Sequence, residues 1–168
     1  VLFDKTGTLT KGEFEVVAVI VNVGVREEEV LQLAASVNAH SEHPLARAMT
    51  EEAKRRKLLL LPVTDFARIP GKGTRGKIAG SEVIIGIESL FSSKLTTSDV
   101  VNLAKEGKTV VHVGREGKLI GAIALADALR PESREAIAAL KALGIKVAMI
   151  TGDSEDVANW VSKELGVD

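Results

Sequence analysis

The sequence predicts an α+β domain, an antiparallel sheet flanked by a helical hairpin, inserted into a smaller parallel α/β domain. Three observations carry this reading. Short strand patterns separated by turn signals recur between positions 63 and 126, the spacing of an antiparallel sheet. Two amphipathic helical patterns precede them back to back. After Ala126 the rhythm changes to helix, strand, helix, and the apolar run Val1-Leu2-Phe3 offers a further buried strand for a parallel sheet. The expected boundaries are residues 1–11 and 123–168 for the split parallel domain and 12–122 for the insert.

Each element has a local reason. Phe14–Val23 begins by alternating apolar with polar residues, so Phe14, Val16, Ala18 and Ile20 are expected on one buried strand face. A helix over Arg26–Ala39 places Val30, Ala34 and Val37 on one side and Glu27, Glu28 and Glu29 in its first turn. A second runs from Pro44 to about Lys57 and buries Leu45, Ala48, Met49 and Ala53. Strands are expected at Val63–Ile69, Thr74–Ala79, Glu82–Ile87, Thr109–Gly114 and Lys118–Ala126, with a helix near Ser98–Glu106 and a hairpin turn at Arg115-Glu116-Gly117. Pro131 opens a helix to Leu143 that buries Ala136, Ile137 and Leu140, and Gly144 ends it. Ile145–Ile150 is an apolar strand. The last helix turns Val157, Trp160, Val161 and Leu165 inward.

Composition narrows the function classes. A net charge of −1 over 168 residues gives no field that would draw nucleic acid or anionic lipid. No apolar run reaches membrane-spanning length and no signal-peptide pattern is present. With no cysteine, the chain has neither a disulfide framework nor a thiolate metal site. A strand needs more than three residues before Asp4, and position 1 is not Met, so the chain reads as a piece cut from a longer protein.

The chemistry concentrates in Asp4-Lys5-Thr6-Gly7-Thr8-Leu9-Thr10. A carboxylate at the carboxyl end of a buried parallel strand stands where α/β sheets place ligands. The glycine and three threonines can wrap N–H and hydroxyl groups around an oxyanion. Thr151-Gly152-Asp153 follows the second buried strand and falls on the same sheet edge. By itself that triplet also reads as a turn and helix cap.

The heptapeptide matches the phosphorylation motif of P-type ATPases residue for residue, and Thr151-Gly152-Asp153 resembles their TGD motif. The resemblance implies an α+β nucleotide-binding domain inserted into a haloacid-dehalogenase-like phosphorylation domain, truncated at both ends. It makes Asp4 the nucleophile toward ATP, Lys5 an offset for charge near the transferring group, and Thr151, Gly152 and Asp153 holders of phosphoryl group, nucleotide and Mg²⁺. Mg²⁺ would sit on the Asp4 carboxylate and the Thr6 carbonyl. Related phosphatases carry a second Asp where this chain has Thr6; without that acid/base the acyl phosphate persists.

Ser41-Glu42-His43-Pro44 resembles the SEHP signature of the type IB members, which move heavy-metal ions, notably copper. By that resemblance His43 stacks on or orients adenine and Glu42 meets its polar edge. Gly71 and Gly73 resemble the family's GxG in the nucleotide pocket, and Gly86 a glycine on its wall. Ile87 stands where the family usually has Asn. Asp127 and Pro131 fall in a segment that resembles the hinge between the domains. His40 and His43 could be taken for metal ligands, but Pro44 makes residue 43 extended, which opposes a shared helix face.

The family's GDGxND motif and phosphate-contacting Lys are not in this chain. The implied partners are the transmembrane and actuator domains of the same pump and ATP, with no nucleic acid. The expected setting is the cytoplasmic side of a membrane, the fragment itself being soluble, monomeric and poor in turnover. Two alternatives are a dehalogenase-type phosphatase with a cap domain and a non-catalytic nucleotide-sensing module.

Overall fold

The computed structural model describes residues 1–93, 95 and 98–168. In chain order, β1 (Leu2–Asp4) leads through a wide turn into β2 (Thr10–Val21), then into the helical hairpin α1 (Glu27–Val37) and α2 (Pro44–Arg55). Three strands follow, β3 (Thr64–Ile69), β4 (Gly73–Ile78) and β5 (Ser81–Gly86), then α3 (Ser98–Lys105) and the hairpin of β6 (Thr109–Arg115) and β7 (Lys118–Leu129). Helix α4 (Pro131–Ala142), β8 (Ala148–Ile150) and α5 (Glu155–Leu165) come last.

The two kinds of sheet are both present. Six strands in the order β2-β7-β6-β5-β4-β3 pair antiparallel throughout. Strand β1 pairs in parallel with β8, Asp4 lying opposite Ile150. The β6–β7 turn is the expected tight one: Glu116 and Gly117 have φ of 52° and 70° between the paired Arg115 and Lys118, the geometry of a type I′ turn. Strands β2 and β7 form one long ribbon, with Thr10 opposite Leu129, that carries the chain both into and out of the large sheet.

The helical hairpin covers one face of that sheet. Val30, Ala34 and Val37 of α1 and Ala48, Met49 and Ala53 of α2 are buried against Val83, Ile85, Val113, Ile123 and Leu125. The opposite face holds a smaller cluster of Leu95, Leu119 and Ala122, with Phe91, Val100 of α3 and Val110 against it. A third cluster, Leu9, Ile137, Val147, Val157, Val161 and Leu165, belongs to the parallel sheet and its helices. At roughly 1.5–3 kcal/mol for each large aliphatic side chain fully buried, these clusters hold the elements in place.

Three expectations need correction. In β2 the alternation does not persist to Ile20. A register shift between Val16 and Ala18 turns the strand over, so Val19 and Val21 join Phe14 and Val16 on the core face instead. In α4, Ala136 is exposed and Ser133 takes the buried place four residues before Ile137. Strand β8 starts at Ala148, because β1 offers only Leu2, Phe3 and Asp4 to pair with.

Register also sorts the two ends of the large sheet. Gly73 pairs with Gly86, Gly86 with His112, Thr109 with Leu125 and Thr10 with Leu129. All these positions therefore share one end, which is the end that faces β1. Helix α1 runs back toward it, and the Thr74 hydroxyl donates to Asn38 Oδ1 there at 3.1 Å. The loop between α1 and α2, which carries Glu42 and His43, lies at that end too.

Candidate active site

Asp4 closes β1 with an extended backbone (φ −71°, ψ 141°), its side chain exposed. The turn that follows is not helical inside: Thr6 is extended (φ −75°, ψ 122°) and Gly7 has φ +79°. The turn doubles back tightly enough for the Gly7 N–H to donate to Thr10 Oγ1 at 3.3 Å. Asp4 stands opposite Ile150, so Thr151 and Gly152 emerge from the adjoining strand end. Gly152 is exposed, and nothing lies within 4 Å of where its Cβ would be.

Lys5 turns the other way, inward. It is 2% exposed, and its ammonium lies 2.7 Å from Asp153 Oδ2 and 3.8 Å from Asp127 Oδ2, with the Phe14 ring 5.6 Å away. Burying a cation is tolerable only when carboxylates meet it, and two do. The Thr151 hydroxyl donates to Asp153 Oδ2 at 2.9 Å and accepts from the Asp153 N–H at 3.1 Å. One ammonium thus ties the heptapeptide to the TGD turn and to the strand leaving the large sheet.

Asp127 explains how that strand is held. Its Oδ2 accepts from the Thr10 hydroxyl at 2.5 Å and its Oδ1 from the Gly12 N–H at 3.0 Å. Opposite it, the β2–β7 ladder is broken: pairing jumps from Thr10–Leu129 to Phe14–Asp127, leaving Lys11, Gly12 and Glu13 against Ala128 alone. The carboxylate takes up the N–H that the ladder leaves. Pro131, after the cap residue Arg130, opens α4.

Sequence reasoning missed two residues here. The Arg130 guanidinium donates to the carbonyls of Thr10 at 3.1 Å and Gly7 at 3.2 Å, and its backbone N–H to Leu9 at 3.0 Å. The Ser133 hydroxyl reaches Leu9 O at 3.0 Å. Together they hold the back of the Asp4 turn. Ser133 left a signal, being a polar residue on the buried side of α4.

The expected nucleotide residues form a second group. His43 caps α2, its Nδ1 accepting from the Leu45 N–H at 3.3 Å, and both it and Glu42 are exposed. Gly71 sits in the β3–β4 turn, open to solvent. Gly73 and Gly86 meet backbone to backbone: a Cβ on Gly86 would lie 2.1 Å from Lys72 O and 3.0 Å from Gly73 Cα. Close strand approach therefore requires both glycines, whatever else they line. Ile87 is exposed, and its N–H donates to Lys72 O at 2.9 Å. The Asn38–Thr74 bond joins the His43 loop to the glycine pair.

Two clefts of about 410 and 440 Å³ are lined by neither Asp4 nor His43, one at the opposite end of the sheet by Arg26 and Arg115, the other between β2 and α2 by Phe14, Glu15 and Arg55. Among the described residues, no cluster of three His, Asp or Glu is arranged for a metal, and no helix is long and apolar enough to cross a membrane.

With this geometry in hand, the relatives are informative. The family model for haloacid dehalogenase-like hydrolases matches residues 1–168. The copper-exporting P-type ATPase B of Archaeoglobus fulgidus is 49% identical over 171 aligned residues, which cover 100% of this chain and 24% of that protein. A crystal structure of a zinc-transporting PIB-type ATPase in its E2.Pi state superposes with a TM-score of 0.77 at 36% identity, over 99% of this chain and 28% of that one. The catalytic domain of the CPx-ATPase CopB-B, studied for conformational changes upon nucleotide binding, gives 0.73 at 31% identity, over 99% of this chain and 59% of that one. The chain thus spans about a quarter of the length of the curated relatives it matches.

Proposed function

The chain belongs to the haloacid dehalogenase-like hydrolases and, within them, to the catalytic region of the type IB P-type ATPases, and on that premise we propose that Asp4 accepts the γ-phosphoryl group of ATP. A carboxylate oxygen of Asp4 attacks phosphorus, the bond to the β-phosphate oxygen breaks, and ADP leaves with the electron pair, giving an aspartyl phosphate. One observation carries this reading: Asp4 and Thr151-Gly152-Asp153 share a strand edge and are bridged by Lys5 at 2.7 Å from Asp153.

The residues divide the work. Thr151 and Gly152, at the open edge beside Asp4, hold the transferring group, the Gly152 N–H donating directly and the Thr151 hydroxyl by turning away from Asp153 Oδ2. Lys5 fixes Asp153 and supplies positive charge behind the turn. Thr6, which has no carboxyl group, leaves water unactivated, so the acyl phosphate outlasts the one formed in a phosphatase. The exposed Asp4 carboxylate accepts no hydrogen bond among the described residues, which suits a Mg²⁺ held there and on the Thr6 carbonyl. Such an ion neutralises charge on the transferring phosphoryl group.

Residues 12–122 then form the nucleotide-binding domain, with adenine beside His43 and Glu42 and the adenosine passing Gly71, Gly73 and Gly86. The broken ladder at Asp127, with Pro131 after it, is the hinge between this domain and the phosphorylation domain of residues 1–11 and 123–168. In the whole pump, with its transmembrane and actuator domains, phosphorylation on the cytoplasmic side of the membrane drives a heavy-metal ion across. The copper-exporting relative at 49% identity favours copper.

Calorimetric titration of Mg·ATP into the chain and its His43→Asn variant tests the nucleotide reading. Asn keeps a cap acceptor for α2 while removing the imidazole. Saturable binding is expected, about tenfold weaker in the variant; equal affinity would move adenine away from His43, and no binding would end the nucleotide reading. In the full-length pump, radiolabel from ATP should be acid-stable, labile to hydroxylamine and lost in Asp4→Asn. Label surviving in that variant would remove Asp4 as the nucleophile.

A further inference from the structure

The large sheet touches the parallel domain at a second place besides the β2–β7 ribbon. Helix α3 ends in a Schellman motif, with the Lys108 N–H donating to Leu103 O and the Gly107 N–H to Ala104 O, both at 3.0 Å. Gly107 takes the left-handed backbone this requires (φ +75°). It has a second reason to be glycine: a Cβ there would lie 2.4 Å from Cδ2 and Cε3 of Trp160. The indole, on α5, rests on the bare Cα with Lys108 Nζ 5.7 Å from a ring centroid, within reach for a cation–π contact. Trp160 also packs on the apolar cluster of the parallel domain. The contact therefore spans both bodies.

Its position matters more than its strength. Helix α3 covers the sheet face opposite the one that α1 and α2 cover, and α2 carries His43 at its cap. The ribbon, with its broken ladder at Asp127, lies between the two contacts. A tilt about it that drew the His43 side toward Asp4 would lift the α3 side away from α5.

We propose that Gly107, Lys108 and Trp160 form an interdomain latch that holds the nucleotide-free arrangement and opens as the opposite face closes on the nucleotide. The proposal rests on the nucleotide reading above. Latch and nucleotide are then coupled negatively, each weakening the other by the same factor. The chain's single tryptophan sits in the latch, so its emission reports the latch alone.

The test is titration of the chain with a non-hydrolysable Mg·ATP analogue, exciting indole at the red edge of its absorption and following binding by calorimetry in parallel. Expected is a red shift with rising acrylamide quenching that saturates together with the heat. Binding that leaves emission and quenching unchanged overturns the latch while sparing the nucleotide reading. No binding at all overturns both. Gly107→Ala pushes the indole off and should show the exposed emission without nucleotide, with affinity about fivefold tighter. Lys108→Ala leaves the glycine turn intact and should tighten affinity about two- to fivefold. Unchanged affinity in a folded Lys108→Ala, alongside unchanged emission, refutes the coupling.

Discussion

Replacing Asp127 tests whether the crossing of the two domains is held as described. The carboxylate is 3% exposed and takes three partners: the Thr10 hydroxyl at 2.5 Å, the Gly12 N–H at 3.0 Å and the Lys5 ammonium at 3.8 Å. Alanine leaves the half-buried Gly12 N–H unsatisfied and Lys5 with one carboxylate, while the Thr10 hydroxyl falls back on the Lys5 carbonyl at 3.0 Å. Because Asp153 still meets the ammonium at 2.7 Å, the loss is that of an unsatisfied buried group and a weakened network, about 1–3 kcal/mol. Asparagine keeps an acceptor for Gly12 but turns an amide donor toward Thr10 and Lys5, so about half of that loss is expected. At the roughly 2–4 °C per kcal/mol of a chain this long, the alanine variant should melt about 2–12 °C lower. Calorimetric melting measures this, and hydrogen exchange at the Gly12 amide should accelerate in step. A fall of less than about 2 °C in Asp127→Ala would refute the claim that this carboxylate secures the break in the ladder.

Gly86→Ala drives a Cβ to 2.1 Å from the Lys72 carbonyl, a backbone atom that cannot rotate away, and should cost about 1–3 kcal/mol in urea unfolding. Gly152→Ala, with nothing within 4 Å of its Cβ, should leave the urea midpoint unmoved; equal effects would contradict the close approach of β4 and β5. His112 is 5% exposed and, among the described residues, has no hydrogen-bond partner on either ring nitrogen. Burial holds its pKa below the usual 6.5, opposed by the charge of Glu88. The native imidazole stays neutral while the unfolded one takes up a proton, so stability is full above pH 6.5 and declines as pH falls below it. Denaturant titrations at neutral and mildly acid pH should show this loss, and His112→Leu should flatten it; an identical acid limb in both proteins would place the titrating group elsewhere.

The strands, helices and their order were legible because turn residues and apolar periodicity act locally. What escaped the sequence depended on pairing. Ala18 and Ile20 alternate correctly with Phe14 and Val16, yet a register shift against β7 turns the strand over, and no residue of β2 signals it. Ala136 fits a helix face that the Asp4 turn instead gives to Ser133, whose hydroxyl is a second donor to Leu9 O beside the Arg130 N–H. At the candidate site, Asp4, Thr151, Gly152 and Asp153 stood out as residues at strand ends. The resemblance makes Lys5 an offset for charge near the transferring group; the pair of carboxylates that meets its ammonium is brought together only by the folded chain. Gly73 and Gly86 were read for the nucleotide, and their cross-strand contact gives each an independent reason to be glycine.

The ribbon of β2 and β7 has a consequence for the order of folding. Leu2 must find Ala148, a partner almost a full chain length away, and closing so long a loop is entropically slow. Once the six antiparallel strands have formed, Thr10 and Leu129 are neighbours, and the distance that β1 and β8 still have to search collapses to a short span on either side. The edge that carries Asp4 is then assembled last, on a template that the intervening residues provide. A substitution that slows the large sheet would delay the appearance of the Asp4 edge without touching any residue in it.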